Sequence, residues 1–350
     1  MEQAAICQRL LGGAVQTVPL GDGCTVCRMA GGQGSAVLTS HALFPGVTLV
    51  YHDVHRPSCA MELKTDGEVL EICHCTEGRM ECQFGDTFYY LTPGDTAIAR
   101  RRCAAQDVYY PISHYHGLSV LIDCARAPEC LSCVLSDVAV RPAGLAARFC
   151  GDLDCCVLRA NARLTRVFSD LCDVPESIRL GYFKVKALEL LLVLGGMDAE
   201  PEAASGRVVP RRQVELAKRV CQHLSTHMHT HITIDALARQ FHISQTQIKQ
   251  SFKAVYGVSV YSFIRAQKMQ AAALLLRHTD ETVLEIAGRF GYENGSKFAA
   301  AFRDEIGMTP AQFRAADRMG QLEHGYYLGK TEKFSQFLSE WSGKSCLGAV

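Results

Sequence analysis

The chain has 350 residues, of which 48% are hydrophobic and 21% are charged, and its 36 basic and 36 acidic side chains cancel to a formal net charge of zero. This composition excludes a mainly disordered protein, and the length leaves room for more than one hydrophobic core. The longest apolar run, residues 187–197, contains Glu189 and is shorter than the roughly 20 residues that cross a bilayer. Because Met1-Glu2-Gln3 also lacks the basic start of a secretory signal, we expect a cytoplasmic protein with no membrane partner.

Charge and cysteine are distributed unevenly along the chain. Residues 1–210 carry 18 basic and 24 acidic side chains (net −6), whereas residues 211–318 carry 15 and 9 (net +6). A basic segment joined to an acidic one indicates a polyanion-binding domain with a separate partner domain. Fifteen of the 17 cysteines lie between Cys7 and Cys172. Their odd number and the missing signal predict reduced thiols rather than disulfides.

The first part of the chain has the pattern of a small antiparallel β-domain. Short β-rich runs alternate with turn signals, and they lie at residues 47–51, 69–75, 79–84, 87–91 and 118–123. Three segments have turn chemistry: Glu77-Gly78, Gly85-Asp86 and Pro93-Gly94-Asp95. Closely spaced strands of this kind predict a barrel or jelly roll over about residues 36–130, and the helical texture that follows predicts helices over about 141–194.

The last of these helices is expected over residues 178–194. Its apolar side chains form one broad stripe at helical spacing, consisting of Ile178, Tyr182, Val185, Leu188, Leu191 and Leu192. The stripe fits either the core of its own domain or a contact with a second copy, and we place Leu188 and Leu191 in the contact of a possible homodimer. Residues 196–210, which combine Gly, Pro, Ser and acidic residues, are typical of a linker.

The sequence of residues 211–318 predicts an all-α domain that contains two copies of one motif. Each copy is a short alanine-containing helix, a tight turn and a second helix with apolar residues four positions apart, which is the arrangement of a helix-turn-helix. The copies run from Ile234 to Gly257 and from Val283 to Pro310. Two pairs have the spacing of capping boxes: Ser244 with Gln247, and Thr282 with Glu285. One helix of roughly 18 residues, about 27 Å long, joins the copies and suits two successive major-groove faces roughly 34 Å apart.

The second copy carries a long signature, Glu285-Ile-Ala-x-x-Phe-Gly-Tyr292, followed by Ser296-Lys-Phe298, Gly307-Met-Thr-Pro310 and Phe313-Arg314. On these residues the segment 211–315 resembles the AraC/XylS family of bacterial transcription regulators. The resemblance implies an α+β multidomain protein with an N-terminal cupin-like β-barrel with helical extension and a C-terminal all-α double helix-turn-helix domain. It also implies a regulator, not an enzyme, that binds double-stranded DNA and a small-molecule effector, contacts RNA polymerase and needs no cofactor.

Carried onto this sequence, the recognition helices of the family assign the DNA contacts. They are Gln245, Thr246, Lys249, Gln250 and Lys253 in the first copy, and Asn294, Ser296, Lys297 and Arg303 in the second. Gln pairs bidentately with adenine, and Lys donates to guanine. The run Ala299-Ala-Ala301 has no hydrogen-bonding side chain, so we expect the second helix mainly to position the protein on the DNA. For Arg303, an ion pair with Asp304 or Glu305 is an equal alternative.

The N-terminal part resembles the cupin-like sensor domain of the family less specifically, through residues 71–78, 93–95 and 115–118. A metal-dependent cupin carries a His-x-His pair and a third His. Here only His74 lies on its strand and no His follows Pro93-Gly-Asp95 at the required place, so we expect no metal and no catalytic site. Histidines near strand ends are the candidates for lining an effector pocket: His52, His55, His74, His114 and His116.

Two other functions stay open at this level. Cys24-x-x-Cys27 and Cys130-x-x-Cys133 have the spacing of a metal-sensing or redox-sensing regulator, although small buried side chains explain them as well. Arg56-Pro-Ser-Cys59 faintly resembles the methyl-acceptor motif of cysteine-dependent DNA alkylation-repair regulators, but His55 stands where that motif has a cysteine. In the tail, residues 319–350, one apolar face predicts a short amphipathic helix with Phe334, Phe337, Leu338 and Trp341.

Overall fold

The computed structural model describes residues 15–21, 23–29, 34–63, 67–101, 104–128, 141–151, 154–197, 208–228, 230 and 232–318. The chain forms two compact units that divide between Val208 and Val209. In the described residues the N-terminal unit combines antiparallel strands with helices, and the C-terminal unit is almost entirely helical. The expected α+β multidomain architecture is therefore confirmed. The tail helix and most of the expected linker lie outside the described residues.

The main sheet of the N-terminal unit is antiparallel and has the strand order β1-β2-β3-β4-β11-β6-β9-β12. Two further antiparallel pairs, β5 with β10 and β7 with β8, accompany it. The strands are β1 (Val15–Gly21), β2 (Cys24–Met29), β3 (Ser35–Phe44), β4 (Val47–His55), β5 (Ser58–Leu63), β6 (Val69–Gly78), β7 (Met80–Phe84), β8 (Thr87–Leu91), β9 (Thr96–Arg101), β10 (Ala104–Tyr109), β11 (Tyr115–Asp123) and β12 (Cys155–Leu158). Strands β1, β2 and β12 lie outside the range 36–130. Strand β12 is four residues long and buried throughout, so it lacks the polar–apolar alternation that reveals a half-exposed strand.

Both faces of the main sheet are covered. Alternate residues of β6 point to opposite sides, so that Leu70 and Ile72 pack with the helices while Cys73 and Cys75 join the core with β5, β7 and β10. The helices of this unit are α1 (Pro142–Cys150), α2 (Ala162–Ser169) and α3 (Arg179–Gly195). Each face of the sheet therefore has its own hydrophobic core, and a smaller buried cluster lies around Leu38, Val50 and Leu121.

Helix α3 divides its apolar residues between two faces. Leu191 is 2% exposed and belongs to the core between sheet and helices, so its expected place in a dimer contact is corrected. The side chains that remain outside are Ile178 (55% exposed), Val185 (61%) and Leu192 (37%). Their spacing of seven residues keeps them on one side of the helix. The single broad stripe of the sequence is therefore one buried face and one exposed apolar face.

The turn at Pro93-Gly94-Asp95 is a structural anchor. Gly94 has a φ of +89°, which favours glycine. Asp95 is 2% exposed, and its carboxylate accepts hydrogen bonds from the backbone N–H of Thr92 at 3.0 Å and from the Thr92 hydroxyl at 2.7 Å. Arg159, which follows β12, donates to the same carboxylate. The turn between β8 and β9 is thereby fastened to the segment that leads into α2.

The C-terminal unit begins with the two-residue strand β13 (Val209–Pro210) and continues through seven helices in its described residues. These are α4 (Arg211–Thr226), α5 (Ile234–Phe241), α6 (Gln245–Tyr256), α7 (Val260–His278), α8 (Val283–Arg289), α9 (Gly295–Ile306) and α10 (Pro310–Arg318). Both predicted capping boxes are confirmed, at Ser244 with Gln247 and at Thr282 with Glu285. Across the described parts of both units, none of the helices has the length and apolar character needed to cross a membrane.

Candidate nucleic-acid interface

The first helix-turn-helix consists of α5, a tight turn and α6. Its turn passes through His242, which has a left-handed φ of 55°, and the N–H of Ile243 returns to the carbonyl of Ala238 at 3.1 Å. Helix α6 buries Ile248 and Phe252 in the core of the unit. Because the apolar side chains of α6 lie on one face, the opposite face of the helix is exposed to solvent.

The exposed face of α6 carries the side chains that the sequence assigned to DNA. Thr246, Lys249, Gln250 and Lys253 are all exposed and follow the spacing i, i+3, i+4 and i+7, so they share one face. Gln245 is also exposed, and its amide donates to Asp235 of α5 at 3.4 Å. Gln245 is therefore partly engaged within the motif, while the other four side chains project from one surface.

The second helix-turn-helix consists of α8, a turn at Gly291 and α9. Gly291 has a φ of +78°, and the buried Lys268 of α7 donates from its Nζ to the carbonyl of Phe290 at 2.9 Å. The ring of Tyr292 packs edge-on against Phe298, with centroids 5.5 Å apart. These contacts join the turn to α7 and to the core, so they fix where α9 begins.

Helix α9 exposes fewer hydrogen-bonding side chains than α6. Ser296, Lys297 and Arg303 are exposed, but Ala300 occupies the middle of the same surface. Asn294 is the N-cap, and its side-chain oxygen accepts from the N–H of Ser296 at 2.8 Å and of Lys297 at 3.2 Å.

The alternative role of Arg303 in an ion pair finds no support in the described residues. Asp304 contacts Arg265 of α7 instead, at 3.6 Å. Among the side chains that the structure describes, no carboxylate lies within ion-pair distance of Arg303.

Helix α7 holds both motifs. It has 19 residues and is therefore about 28 Å long. Near its start, Phe263 packs edge-on against Phe252 of α6, with centroids 5.3 Å apart. Further along, Met269 and Leu276 belong to the core that contains Phe298 of α9. Because one continuous helix enters both cores, the separation of α6 and α9 is set by the helix and not by a flexible loop.

The five histidines proposed for the effector do not line one pocket. His74 faces the helices and stacks on Phe168 at 4.6 Å between centroids. His52 lies on the opposite face of the sheet, where its Nε2 contacts the hydroxyl of Ser119 at 2.9 Å. His55, His114 and His116 meet at one end of the sheet. The structure thus brings three of the five together and separates the other two.

His52 belongs to a line of buried polar groups. Ser119 donates to Glu71 at 3.2 Å, and Arg101 donates to the other oxygen of Glu71 at 2.8 Å. Burial lowers the pKa of His52 to about 4, so the ring is neutral near pH 7. Because the Ser119 proton goes to Glu71, the Ser119 oxygen accepts from Nε2–H, and Nδ1 of His52 keeps a lone pair. Within the described part of the chain, this buried Nδ1 has no hydrogen-bond partner.

The cluster of three histidines includes two acidic residues that the sequence analysis missed. Asp53 Oδ1 lies 2.8 Å from Nε2 of His55 and 3.1 Å from Nε2 of His116. Hydrogen bonds from His116 and His55 hold the pKa of Asp53 well below its usual range, and the hydrogen bond to Asp53 raises the pKa of His116. Glu77 Oε2 lies 3.2 Å from Nε2 of His114. The i, i+2 spacing of Asp53 with His55 and of His114 with His116 is visible in the sequence, but only strand pairing brings the two pairs and Glu77 together.

The cysteines give no support to the two alternative functions. Cys24 and Cys27 are three residues apart on β2, and side chains at that spacing on a strand point to opposite faces. Cys130 and Cys133 lie outside the described residues. Burial raises the pKa of Cys59 to about 11, so this thiol is protonated near neutral pH and is a poor methyl acceptor. The buried cysteines of the described sheet act as small apolar side chains.

Residues 237–316 match the family model described as "Helix-turn-helix domain". Among curated proteins, the HTH-type transcriptional activator RhaR of Enterobacter sp. (strain 638) is 29% identical over 106 residues, which cover 30% of this chain and 38% of the activator. The HTH-type transcriptional regulator MtrA of Neisseria gonorrhoeae is 32% identical over 81 residues, 23% of this chain and 27% of that protein. A solved structure of a probable AraC family transcriptional regulator from Rhodopseudomonas palustris CGA009 is 26% identical, with a TM-score of 0.27, and the match covers 30% of this chain and 97% of that one.

The matched segment begins inside α5 and contains the rest of the two motifs, α6, α8 and α9, together with α7, which joins them. The chain spans less than two fifths of the length of these curated relatives. Within that span the resemblance drawn from the sequence is confirmed: this chain carries an AraC-type helix-turn-helix domain at its C-terminal end.

Proposed function

We propose that the protein is a transcription regulator that binds a specific double-stranded DNA sequence through its C-terminal unit. The observation that carries this proposal is the exposed polar face of α6, which stands on the second helix of a helix-turn-helix and has no role in the core. A helix of this kind enters the major groove and presents its exposed side chains to base edges. The net charge of +6 over residues 211–318 favours the approach to a polyanion.

The two motifs divide the work of recognition. Gln250 and Lys249 of α6 read bases, because amide and ammonium groups match the major-groove edges of adenine and guanine. Helix α9 offers Lys297, Arg303 and a helix start with its N-cap at Asn294, which suit phosphate contacts. Sequence specificity is therefore concentrated in the groove that α6 enters.

The test uses the full chain and a DNA site selected from a random library by its own binding. Gln250→Ala weakens binding to the selected site by about 1–3 kcal/mol, or roughly 5- to 150-fold, and changes binding to random DNA little. The control is Gln222→Ala, the same substitution at an exposed position of α4. An equal loss on both DNAs would assign Gln250 to the phosphates and contradict base reading.

The N-terminal unit is the sensor in this proposal, and its ligand is a small organic molecule. Two observations support it. Nδ1 of His52 is a buried acceptor without a hydrogen-bond partner among the described residues. Nε and one terminal nitrogen of Arg56 are buried donors that also lack a partner there. Buried polar groups of this kind are costly unless something bonds to them. A hydroxyl or N–H group of an effector satisfies Nδ1 of His52, and an anionic or carbonyl oxygen satisfies the nitrogens of Arg56.

The sensor is tested by thermal shift of the full chain against a panel of hydroxy acids and other small metabolites. His52→Gln keeps a donor at the position of Nε2 and removes the acceptor at Nδ1, so it weakens binding of a true effector while the contact with Ser119 stays. His74→Gln, on the other face of the sheet, is the matched control. A ligand that binds the His52→Gln variant as tightly as it binds the wild type does not contact His52. Regulation further requires that the ligand prefer one arrangement of the protein over another.

A homodimer is the oligomeric state that we propose. The exposed face of α3 repeats Ile178, Val185 and Leu192 every seven residues, and such a repeat is what two identical helices need to pack along each other. A second copy of this chain therefore covers that face. The contact with RNA polymerase stays a prediction from the resemblance alone.

A further inference from the structure

Three strands of the N-terminal unit bring five chemistry-bearing side chains to one end of the main sheet. Asp53 and His55 lie at the end of β4, His116 at the start of β11 with His114 just before it, and Glu77 near the end of β6. In the ladder, His116 stands directly opposite Asp53 on one side and Glu77 on the other. The row Asp53–His116–Glu77 therefore crosses three adjacent strands.

The histidines and acids lie on the face of the sheet that, further along the strands, carries Leu49 and Leu118 and packs against the helices. Val54 and Tyr115 alternate with them along β4 and β11, and both point into the core on the other side. In β6 the pairing skips Thr76, since His116 pairs with Glu77 and Gly117 with Cys75. A bulge of this kind turns the following side chain to the other face. Without it, Glu77 would point to the same side as Cys75 and away from the histidines.

We propose that His55, His114 and His116 bind one divalent transition-metal ion, with Zn²⁺ as the representative. The three rings offer one nitrogen each within 4.8 Å of one another. Nε2 of His55 and Nε2 of His116 are 3.4 Å apart. In a tetrahedral site with Zn–N bonds of 2.0–2.1 Å, two ligand nitrogens stand about 3.3–3.4 Å apart. One edge of the coordination tetrahedron is thus present, and His114 offers the third nitrogen within 4.8 Å of the other two ligand atoms.

The acids complete the coordination. Asp53 Oδ1, at 2.8 Å from His55 Nε2 and 3.1 Å from His116 Nε2, faces the same point and supplies the fourth ligand. Glu77 Oε2 contacts the nitrogens that face away from that point, His114 Nε2 at 3.2 Å and His116 Nδ1 at 3.5 Å. A carboxylate on the far nitrogen fixes the tautomer and the orientation of a metal-binding histidine. Glu77 does this for two rings at once.

The backbone around the cluster is tightly held. Gly78 has a φ of +82°, and a Cβ there would lie 2.0 Å from the carbonyl oxygen of His114. The N–H of Arg79 donates to that same oxygen at 3.1 Å. The side chains remain open enough for an ion to enter, since those of His55, His114 and His116 are 20%, 16% and 36% exposed. A fixed backbone with accessible ligand atoms is the property of a binding site rather than of core packing.

This inference goes beyond the proposed function and does not depend on DNA binding. It also differs from the metal site of cupins that the sequence argued against, because none of these three histidines stands at the place directly after Pro93-Gly-Asp95 that the cupin site requires. A group of rings joined only by hydrogen bonds would have the same contacts without binding metal. The two readings differ in what added Zn²⁺ does.

The experiment titrates untagged full-length protein, stripped of metal by a chelator, with Zn²⁺ in competition with a chromogenic chelator. We expect one equivalent to bind and to raise the thermal midpoint of the N-terminal unit. His116→Gln and His55→Gln each abolish that equivalent, and Glu77→Gln weakens it about 10- to 100-fold, the usual effect of a group that orients a ligand. The control variant carries His223→Gln and His227→Gln together. It removes two neighbouring histidine rings of the C-terminal unit, one on α4 and one just after it, and it leaves the Zn²⁺ equivalent in place.

Co²⁺ gives a second readout, because a four-coordinate Co²⁺ site absorbs visible light strongly. Wild-type protein develops this band, and His116→Gln does not. The proposal is overturned if no equivalent binds, if the equivalent survives both single substitutions, or if only the α4 control variant loses it. Glu77→Gln preserves the size of the side chain, so it keeps the test decisive if a histidine variant fails to fold.

Discussion

Replacing Lys268 with methionine removes one hydrogen bond from the interior of the C-terminal unit and keeps most of the side chain's bulk. Lys268 is 8% exposed, and its Nζ donates to the carbonyl of Phe290 at 2.9 Å, just after the end of α8. A hydrogen bond from a charged group contributes about 1.5–3 kcal/mol, and the substitution removes this donor from the carbonyl of Phe290. Removing a buried ammonium returns part of its desolvation cost. The expected net loss for Lys268→Met is therefore about 1–2 kcal/mol of unfolding free energy.

The assay is urea unfolding of the full chain with hydrogen exchange read at the turn. Lys268→Met shifts the transition of the C-terminal unit, and exchange at the amide of Tyr292, which donates to Ala287 at 3.0 Å, becomes faster. Lys249→Met, at an exposed position of α6, leaves both unchanged. Burial also lowers the pKa of Lys268. The folded state therefore binds fewer protons than the unfolded state as the pH approaches 10.5, and wild-type stability rises with pH there relative to the methionine variant. Unchanged stability and unchanged exchange would refute a structural role for this hydrogen bond.

Three further predictions address the rest of the molecule. Val185→Asp combined with Leu192→Asp converts a dimer to a folded monomer in sedimentation, whereas Leu191→Asp unfolds the N-terminal unit; a dimer that survives the double substitution excludes α3 as the contact. Because burial lowers the pKa of His52 from 6.5 to about 4, the unfolded state gains protons first as the pH falls, and the N-terminal unit loses up to about 3 kcal/mol between pH 6.5 and 4. His52→Gln flattens that slope in pH-dependent unfolding, and an unaltered slope assigns it to other groups. His242→Gly relieves a left-handed φ of 55° and raises the stability of the C-terminal unit by up to about 1 kcal/mol in urea unfolding, whereas a loss of stability shows that the His242 side chain matters more.

The helices of the C-terminal unit could be predicted closely because their ends are decided locally. Ser244 with Gln247, Thr282 with Glu285 and the glycines at 257 and 307 act within a few residues of chain, and each is visible in the sequence. Helix α6 accordingly begins after Ser244 and ends before Gly257, and α9 ends before Gly307. The exposed recognition face of α6 follows from the same periodicity, since burial of Ile248 and Phe252 fixes which side faces solvent.

The N-terminal unit was less predictable because its structure depends on pairing between distant strands. Both faces of the main sheet are covered, so apolar residues on α3 and on the strands do not reveal which partner they meet. The meeting of His55 with His116 requires the register of β4 against β11, and the place of Glu77 requires a bulge at Thr76. The His-x-His spacing of His114 and His116 is visible in the sequence, whereas the register and the bulge that bring His55 and Glu77 to this pair are not. A search for motifs therefore finds no cupin metal site here, and the cluster for which we propose a metal ion emerges only from the strand pairing.

The contrast between α6 and α9 has a consequence for the DNA that this protein selects. Both helices pack on α7, so neither can shift its position in a DNA groove independently of the other. Helix α6 presents Lys249 and Gln250, while α9 presents Ala300 at the centre of its exposed surface. Under the proposed function, the base sequence of the selected sites is therefore strongly constrained in the half under α6. The half under α9 is read through phosphate positions and, at most, a thymine methyl. Replacing Ala300 with Arg would extend specificity into the second half without moving α9, because Ala300 lies on the exposed side of a helix whose position Phe298 and Phe302 determine from the core.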